Sequence, residues 1–208
     1  MLVPIALAIA LSYLIGSIAG GRVVGHFAGK VDVTSKGSGN VGTTNVLRVL
    51  GKKCALLVFL IDFFKGTAAV YLASMLVAGP HGPLVQAVSG LACICGHNWS
   101  LFFRFRGGKG VATSAGVFLF LTPVPLLLAL GAMIVVVGTS RYVSLGSMMS
   151  AALLPVFIYF VGGASVYVIA ALVVAALVIF RHRGNIVRLL QGSEHKLGTR
   201  SSAGRERS

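Results

Sequence analysis

The strongest constraint on this chain is a series of seven long apolar runs that contain only two charged side chains, Asp62 and Lys65. A soluble domain carries roughly 25% charged residues, whereas only 11% of this chain is charged. Because so few charges cannot cover a water-facing surface, soluble, disordered and fibrous classes are excluded. We predict an all-α polytopic membrane protein with seven transmembrane helices, some of them short. The runs are Met1–Gly21, Cys54–Gly79, Leu84–Phe103, Val111–Leu121, Val124–Ser140, Val143–Val161 and Ala164–Phe180.

The breaks between these runs alternate between basic and uncharged. With seven crossings, all basic breaks lie on one side, so the positive-inside rule puts the N-terminus outside and the C-terminus in the cytoplasm. An alternative treats Val111–Ser140 as one kinked helix, which gives six crossings and puts Arg141 and the tail outside. The weak point of the seven-helix prediction is Val111–Leu121, which rises only about 16 Å through a core of ~30 Å.

The ends of the chain lead to two further expectations. Met1–Gly21 lacks a basic leading region and is followed directly by Arg22, so we predict an uncleaved first helix rather than a signal peptide. Residues 1–197 are predicted to form a single transmembrane domain, and Gly198–Ser208 a disordered basic tail. The three cysteines, Cys54, Cys93 and Cys95, are predicted to be packing residues, because their spacing fits neither a disulfide framework nor a zinc site.

Positive charge dominates the polar part of the chain. Eighteen Lys and Arg residues oppose four Asp and Glu, which gives a formal net charge of +14. Such an excess indicates anionic partners. Nucleic acid is disfavoured because the basic residues lie in short breaks, which leaves lipid headgroups and small anionic substrates. Asp62 and Lys65 lie three residues apart in the second run, and we interpret them as a structural ion pair, with a catalytic acid as the alternative.

The first candidate anion-binding segment is Ser35–Arg48. Glycines at 37, 39 and 42 allow a close backbone approach and could turn successive N–H groups inward as an anion nest. A flexible linker is the alternative interpretation, but a linker does not require so dense an interleaving of Asn and Thr before an apolar helix. The polar side chains that could bind phosphate here are Ser38, Asn40, Thr44, Asn45 and Arg48.

The second segment, His97–Thr113, contains the run Gly107-Gly108-Lys109. It does not match a P-loop, because Gly110 rather than Ser or Thr follows Lys109. A glycine turn leading into a helix, with Lys109 at its positive end, still suits an anion. His97 could act as a base, although a hydrogen-bonded packing group is the more common role. The aromatic residues of this segment could form an interfacial belt; they are Trp99, Phe102, Phe103 and Phe105.

The third segment is split between Ser144, which opens the sixth run, and residues 181–190, which follow the seventh. Ser144 is either a phosphate ligand or only a helix N-cap. The arginines at 181, 183 and 188 could contact lipid headgroups. His182 lies between two of them, which disfavours its protonated form and predicts a neutral ring.

Together these segments resemble the PlsY family of bacterial acyl-phosphate:glycerol-3-phosphate acyltransferases along almost the whole chain. Two departures are visible, because Arg106 stands where the family usually has Lys and Thr43 where Ala is usual. The matching motifs are Gly-Ser at 16–17, Gly-Ser-Gly-Asn-x-Gly-x-Thr-Asn-x-x-Arg at 37–48, Asp-Phe-Phe-Lys-Gly at 62–66, Gly-His at 96–97, Gly-Gly-Lys-Gly-Val-Ala-Thr at 107–113, Ser-Leu-Gly-Ser at 144–147 and Arg-His-x-x-Asn-Ile-x-Arg-Leu at 181–189.

The resemblance implies an enzyme of the bacterial inner membrane that moves a fatty acyl group from a long-chain acyl phosphate to the sn-1 hydroxyl of glycerol 3-phosphate. It implies no metal or cofactor and no direct use of acyl-CoA or acyl carrier protein. Cytoplasmic glycine-rich loops would form the site. The candidate catalytic residues are Ser38, Asn40, Arg48, Lys109 and His182. The candidate substrate-binding residues are Gly39, Thr44, Asn45, Gly107, Gly108, Ser144 and Asn185.

Two other classes remain as alternatives at this point. A polytopic carrier for phosphate or an organic anion would fit the basic loops, but such carriers tend to contain internal repeats and midplane charges. The sequence shows no repeat, and its basic residues gather at one face. A structural membrane anchor would leave the segment from Ser38 to Arg48 without a purpose.

Overall fold

The structure is a computed structural model that describes residues 2–198, and in this part of the chain all regular secondary structure is helical. Apart from Gly198, the predicted tail lies outside the described residues. Two single 3₁₀ turns, Gly79–His81 and Leu101–Phe103, separate some of the longer helices. The α-helices of the described part are α1 Leu2–Ser17, α2 Gly20–Phe27, α3 Thr43–Leu50, α4 Lys52–Leu76, α5 Gly82–Asn98, α6 Val111–Leu121, α7 Pro123–Ser140, α8 Val143–Phe160, α9 Ser165–Arg181 and α10 Arg183–Leu190.

Each apolar run contains a helix, and the C-terminal ends of two helices differ most from the prediction. The first helix stops at Ser17 rather than Gly21, and α2 continues after a bend of 42°. Ile18 lies in this break, and its carbonyl accepts a hydrogen bond of 2.7 Å from Lys65 Nζ. The third run leaves the helix at Asn98, since Trp99 has a non-helical backbone (φ −135°, ψ 73°). Both helices therefore end before the apolar sequence does.

Length and composition qualify some of these helices as membrane spans. Within residues 2–198, α4, α7 and α8 are long and apolar enough to cross a bilayer alone, and the number rises to five if the bent pairs α1–α2 and α9–α10 each form one span. Helix α6 has only 11 residues, as the sequence indicated. Thr122, with φ −150° and ψ 73°, separates α6 from α7. The count of seven crossings stays a prediction.

Glycines allow the central helices to pack at very short distances. A Cβ on Gly116 of α6 would overlap the carbonyl of Phe63 in α4, and a Cβ on Gly16 of α1 would overlap the carbonyl of Cys93 in α5. Small residues at helix contacts are typical of membrane bundles, where van der Waals contact drives association. The largest buried cluster joins α4–α6 to α7–α9 and includes Ile94, Phe118 and Ile158.

Large apolar side chains cover the outside of the bundle. Leu127 and Ile134 of α7, Tyr159 of α8 and Ile169 of α9 are all more than half exposed. A water-soluble monomer rarely exposes apolar surface on this scale. The bundle therefore presents a lipid-compatible surface around a packed interior.

The long polar segment Arg22–Lys53 is more ordered than its composition suggests. It contains most of α2 and all of α3, neither of which was predicted as a separate element. Val24, Val33, Val46 and Val58 form a small buried cluster that holds this segment against α4. The candidate anion-binding loop is thus fixed on both sides by short helices.

Candidate active site

A cavity of about 280 Å³ lies where the loop before α3, the loop before α6 and the segment around α10 meet side chains of α4, α6, α7 and α8. Of the predicted site residues, Gly39, Gly107 and Gly108 do not line it. The predicted residues that do line it are Ser38, Asn40, Thr44, Asn45, Arg48, Lys109, Ser144, His182 and Asn185. Side chains far apart in sequence are therefore brought to one place.

Asn45 holds the first loop in its conformation. The side chain is buried, and its Oδ1 accepts the Ser38 N–H at 2.7 Å. Its amide nitrogen lies 2.8, 3.1 and 2.8 Å from the carbonyl oxygens of Val33, Lys36 and Asn40. Because these contacts occupy both polar atoms, the geometry gives Asn45 a part in shaping the cavity.

Three backbone N–H groups of the first loop donate hydrogen bonds within the protein. Ser38 donates to Asn45, Gly39 donates to the Lys36 carbonyl at 3.1 Å, and Gly42 donates to Asn40 Oδ1 at 2.8 Å. The expected anion nest is therefore not formed by these three groups. Gly39 does adopt a positive φ of 69°, so its role in the structure is to make the turn.

Gly107 and Gly108 pack against α5 instead of facing the cavity. A Cβ on Gly107 would overlap the His97 carbonyl, and one on Gly108 would overlap the His97 ring. Arg181 fixes the turn from the other side, since its Nε and Nη2 donate to the carbonyls of Gly108 and Gly107, both at 2.9 Å. Its guanidinium also lies 5.4 Å from the centre of the Trp99 ring. Arg181 thus binds the glycine turn.

Lys109, the residue after this turn, lines the cavity and contributes a positive charge to it. Its Nζ donates a hydrogen bond to Asn185 Oδ1. Burial lowers the pKa of Lys109 to about 8, with the positive charges of Arg188, Arg48 and Arg181 acting in the same direction and Glu194 opposing them. Near neutral pH the ammonium group therefore remains largely protonated while sitting in a partly desolvated site.

His182 is buried at the junction of α9 and α10. Its Nδ1 lies 2.8 Å from the Val178 carbonyl oxygen, which can only accept, so Nδ1 carries the proton. Burial and the charge of Lys109 lower the pKa of His182 to about 4. The ring is therefore neutral at physiological pH, as its position between arginines predicts, and Nε2 is left as an acceptor.

Glu194 was not predicted as a site residue, yet it lines the cavity. Its carboxylate accepts from Asn185 Nδ2 at 2.8 Å, from Arg188 Nε at 2.8 Å and from Ser144 Oγ at 3.2 Å. Burial alone would raise the pKa of Glu194, but the hydrogen bonds from Asn185 and Arg188 outweigh it and hold the pKa below its ordinary value. The carboxylate is therefore an anion within a cationic site.

A buried polar cluster lies where α4 and α5 meet beside the cavity. Lys65 Nζ is 2.8 Å from Asp62 Oδ1 and 2.9 Å from His97 Nδ1, and all three side chains are buried. Because the ammonium group can only donate, Nδ1 of His97 accepts. The expected Asp62–Lys65 pair is present, and through Lys65 it links α4 to α5 and to Ile18 in the break after α1.

The wall of the cavity opposite the loops is apolar. It is built from side chains of α4, α6, α7 and α8, which are Phe59, Phe63, Val111, Ala112, Ala115, Leu130, Met133 and Val143. The cavity therefore has a cationic end and an apolar end, which matches an amphiphile with an anionic head. Within residues 2–198, no three His, Cys, Asp or Glu side chains come together as metal ligands would.

The fold and this cavity define a helical, multi-pass integral membrane protein with a cavity that is cationic at one end and apolar at the other. Comparison with known proteins gives the family. Residues 6–192 match the family model described as glycerol-3-phosphate acyltransferase, and the chain belongs to this family, that of PlsY.

Curated relatives match over nearly their whole length. A glycerol-3-phosphate acyltransferase from Trichlorobacter lovleyi is 46% identical over 90% of this chain and 95% of its own. Glycerol-3-phosphate acyltransferase 2 from Moorella thermoacetica is 47% identical over 94% of this chain and 98% of its own.

Solved structures agree with the fold. The crystal structure of PlsY, an integral membrane glycerol 3-phosphate acyltransferase, in its glycerol 3-phosphate form, superposes with a TM-score of 0.87 at 40% identity, covering 94% of this chain and 96% of that one. Its lysophosphatidic acid form gives a TM-score of 0.86 with the same identity and coverage.

Proposed function

We propose that this protein transfers a fatty acyl group from acyl phosphate to the sn-1 hydroxyl of glycerol 3-phosphate, releasing lysophosphatidic acid and inorganic phosphate. The observation that carries the proposal is that one cavity holds both kinds of residue. Arg48, Lys109 and His182 lie at its polar end, and apolar helix residues lie at the other. The glycerol 3-phosphate and lysophosphatidic acid forms of PlsY support the acceptor and the product. The donor is proposed on the amphiphilic shape of the cavity and on the resemblance of the motifs.

The reaction needs no covalent enzyme intermediate, because an acyl phosphate is already an activated mixed anhydride. The acceptor oxygen attacks the carbonyl carbon, the bond from that carbon to the phosphate oxygen breaks, and phosphate leaves with the electron pair. Lys109 and Arg48 hold the two phosphates that would otherwise repel each other. Ser38, Asn40 and Thr44 orient them by hydrogen bonds. Positive charge near the oxyanion and the departing phosphate stabilises the transition state.

The hydroxyl proton has two acceptors within this scheme. We propose that a phosphate oxygen of the donor takes it, which makes catalysis substrate-assisted. The unprotonated Nε2 of His182 is the alternative base. The pH–rate profile separates the two routes: an acidic limb that disappears in His182→Ala identifies a protein base, whereas a limb that remains supports the phosphate.

We also propose how the protein is arranged in the membrane. Seven crossings of the bacterial inner membrane, with the N-terminus outside, put Ser38, Lys109 and His182 in the cytoplasm together with the C-terminus. The support is the alternation of basic and uncharged breaks along the sequence and the positive-inside rule.

The test is phosphate release by purified protein in detergent. Palmitoyl phosphate with glycerol 3-phosphate should give phosphate and an acylated product in equal amounts, and omission of either substrate should abolish both. Palmitoyl-CoA as donor should give no acylated product. Lack of glycerol 3-phosphate-dependent release would contradict the proposal and favour the carrier class, whereas product formed from palmitoyl-CoA would contradict the choice of donor.

A further inference from the structure

The segment after α10 folds back so that Glu194 and His195 line the cavity, and we call residues 191–198 the C-terminal strap. Its far end is tied to the α7–α8 connection. The Leu197 N–H donates to the Arg141 carbonyl at 2.7 Å, and Arg141 Nη2 donates to the Leu197 carbonyl at 2.8 Å. Near its start, the Ser193 N–H donates to the Arg188 carbonyl at 2.8 Å. The strap is thus fixed at both ends, with Glu194 between them.

We infer that Glu194 is a positioning residue of the active site: its carboxylate orients Asn185 and Arg188 and supplies the counter-charge that keeps the cation cluster together. The inference rests on the proposed function. It assigns a role in the reaction to a strap residue that does not itself touch the reacting atoms.

The first argument is the chain of hydrogen bonds that leads to Lys109. Glu194 Oε1 accepts from Asn185 Nδ2 at 2.8 Å, and the same amide accepts from Lys109 Nζ through Oδ1. An amide that donates to a carboxylate on one side must present its oxygen on the other. Glu194 therefore determines which face of Asn185 meets Lys109, and Asn185 in turn directs Nζ within the cavity.

The second argument is electrostatic. Lys109 faces the positive charges of Arg48, Arg181 and Arg188, with His182 also nearby, and Glu194 is the opposing charge. Like charges held together in a partly buried site repel strongly. A single carboxylate that accepts from Arg188 reduces this repulsion, which keeps Lys109 protonated.

A different role for Glu194 gives a contrasting expectation. If Glu194 merely occupied the donors that a substrate phosphate needs, it would have to leave when the substrate binds. Loss of its charge would then tighten substrate binding. A positioning residue predicts the opposite, because the cations lose their alignment when the carboxylate is removed.

The experiment compares wild type, Glu194→Gln, Glu194→Asp and the matched control Asp32→Asn in the phosphate-release assay. Asp32→Asn removes one negative charge from a loop residue whose Oδ1 accepts from Thr34, a contact that Asn can keep, and it lies away from the cavity. Melting temperature in detergent confirms that each variant is folded.

For Glu194→Gln we expect kcat about tenfold below wild type, the loss typical when a hydrogen bond to a charged group loses its charge. KM for glycerol 3-phosphate should not fall. The alkaline limb of the pH–rate profile should move to lower pH, because Lys109 gives up its proton more readily without the carboxylate. Glu194→Asp keeps the charge and should keep the limb at the wild-type position, and Asp32→Asn should match wild type in all three measurements.

Wild-type kcat, KM and alkaline limb in Glu194→Gln would overturn the inference, as would a lowered KM with unchanged kcat. The same limb shift in Asp32→Asn would also overturn it, since the effect would then belong to net charge. If the wild-type protein shows no release of phosphate that depends on glycerol 3-phosphate, the proposed function and this inference both fail. If the wild-type protein is active and Glu194→Gln behaves like it, the inference alone fails.

Discussion

At the scale of single residues, Asn45 has a larger structural role than its neighbours that face the cavity. It joins Val33, Lys36, Ser38 and Asn40 through one amide. Loss of this amide would leave its buried partners without a hydrogen bond, and each such group destabilises the folded protein by about 1–3 kcal/mol. The shape of the first loop therefore depends on one side chain.

Replacing Asn45 tests this dependence. Asn45→Ala removes the acceptor of the Ser38 N–H and the donor to three carbonyls, so we expect a lower melting temperature in detergent together with a large loss of activity. Lys36→Ala is the matched control, because the Lys36 side chain is exposed and only its carbonyl contacts Asn45. Equal melting temperatures for Asn45→Ala and wild type would contradict the role given to the amide.

Lys109 is the residue on which the proposed chemistry depends most. Lys109→Met should lower kcat by about 100-fold or more, the loss typical when one preorganised group that stabilises transition-state charge is removed. Thermal unfolding should change little, since the methylene groups are kept. Arg104→Met removes an exposed cation from the same loop and should stay close to wild type. Comparable activity in Lys109→Met and Arg104→Met would remove Lys109 from the mechanism.

The pH dependence follows from the same ammonium group. Under the proposed function Lys109 binds phosphate in its protonated form, and burial lowers its pKa to about 8. Activity should therefore be retained below that pH and fall as pH rises through it. Lys109→Arg should move the alkaline limb upward, because a guanidinium stays charged, although the rate will be lower. An alkaline limb at the same pH in wild type and Lys109→Arg would mean that another group titrates.

Residue types in the polar segments were enough to predict nine of the 25 residues that line the cavity, but they could not predict the hydrogen-bond partners of these residues. Arg181 was expected near headgroups, whereas it binds the carbonyls of Gly107 and Gly108. Glu194 contacts Ser144, fifty residues away in sequence. Contacts of this kind depend on how helices pack, and no local pattern contains them.

At the scale of elements, apolar length predicted where helices form but not where they end. Helix α1 ends at Ser17, although the apolar sequence continues to Gly21. Amphipathic helices in the basic segments, α3 and α10, were not predicted because their charged faces resemble loops in composition. Each is eight residues long, and helices this short are marginal alone. Helix α3 is stabilised by packing on α4, and α10 by the hydrogen bonds of Asn185 and Arg188 to Glu194.

The contact between α4 and α6 allows a direct test of helix packing. Gly116→Ala puts a methyl group against the Phe63 carbonyl, so we expect a clearly lower melting temperature. Gly138→Ala in α7 is the matched control, because a Cβ there meets nothing within 4 Å and Ala favours helix by about 1 kcal/mol over Gly. It should leave stability unchanged or raise it. A Gly116→Ala protein as stable as Gly138→Ala would mean that α4 and α6 separate easily.

At the scale of the whole molecule, the low charge content was sufficient to predict an all-helical membrane protein, and the multi-pass membrane fold is confirmed by PlsY. The orientation in the membrane remains a prediction from the charge of the breaks. Nothing in the packing of helices distinguishes one side of a bilayer from the other, so only asymmetry of Lys and Arg carries this information.

Cysteine labelling from outside the cell tests the orientation. In a background without the three native cysteines, His81→Cys should react with a membrane-impermeant reagent in intact cells. Lys36→Cys and Thr139→Cys should react only after the cells are opened. If intact cells label at Thr139→Cys but not at Lys36→Cys, the result would support six crossings. Of the two arrangements, only the one with six crossings puts the end of α7 outside.

The two-ended cavity described above has a kinetic consequence. Under the proposed function, one reactant arrives dissolved in the cytosol, while the other is confined to the bilayer and reaches the apolar end by lateral diffusion. The rate should then depend on bulk molarity for the first and on mole fraction within the lipid phase for the second. Adding inert lipid at constant total donor would slow turnover by surface dilution, so the fluidity and composition of the bilayer become variables of the enzyme's activity.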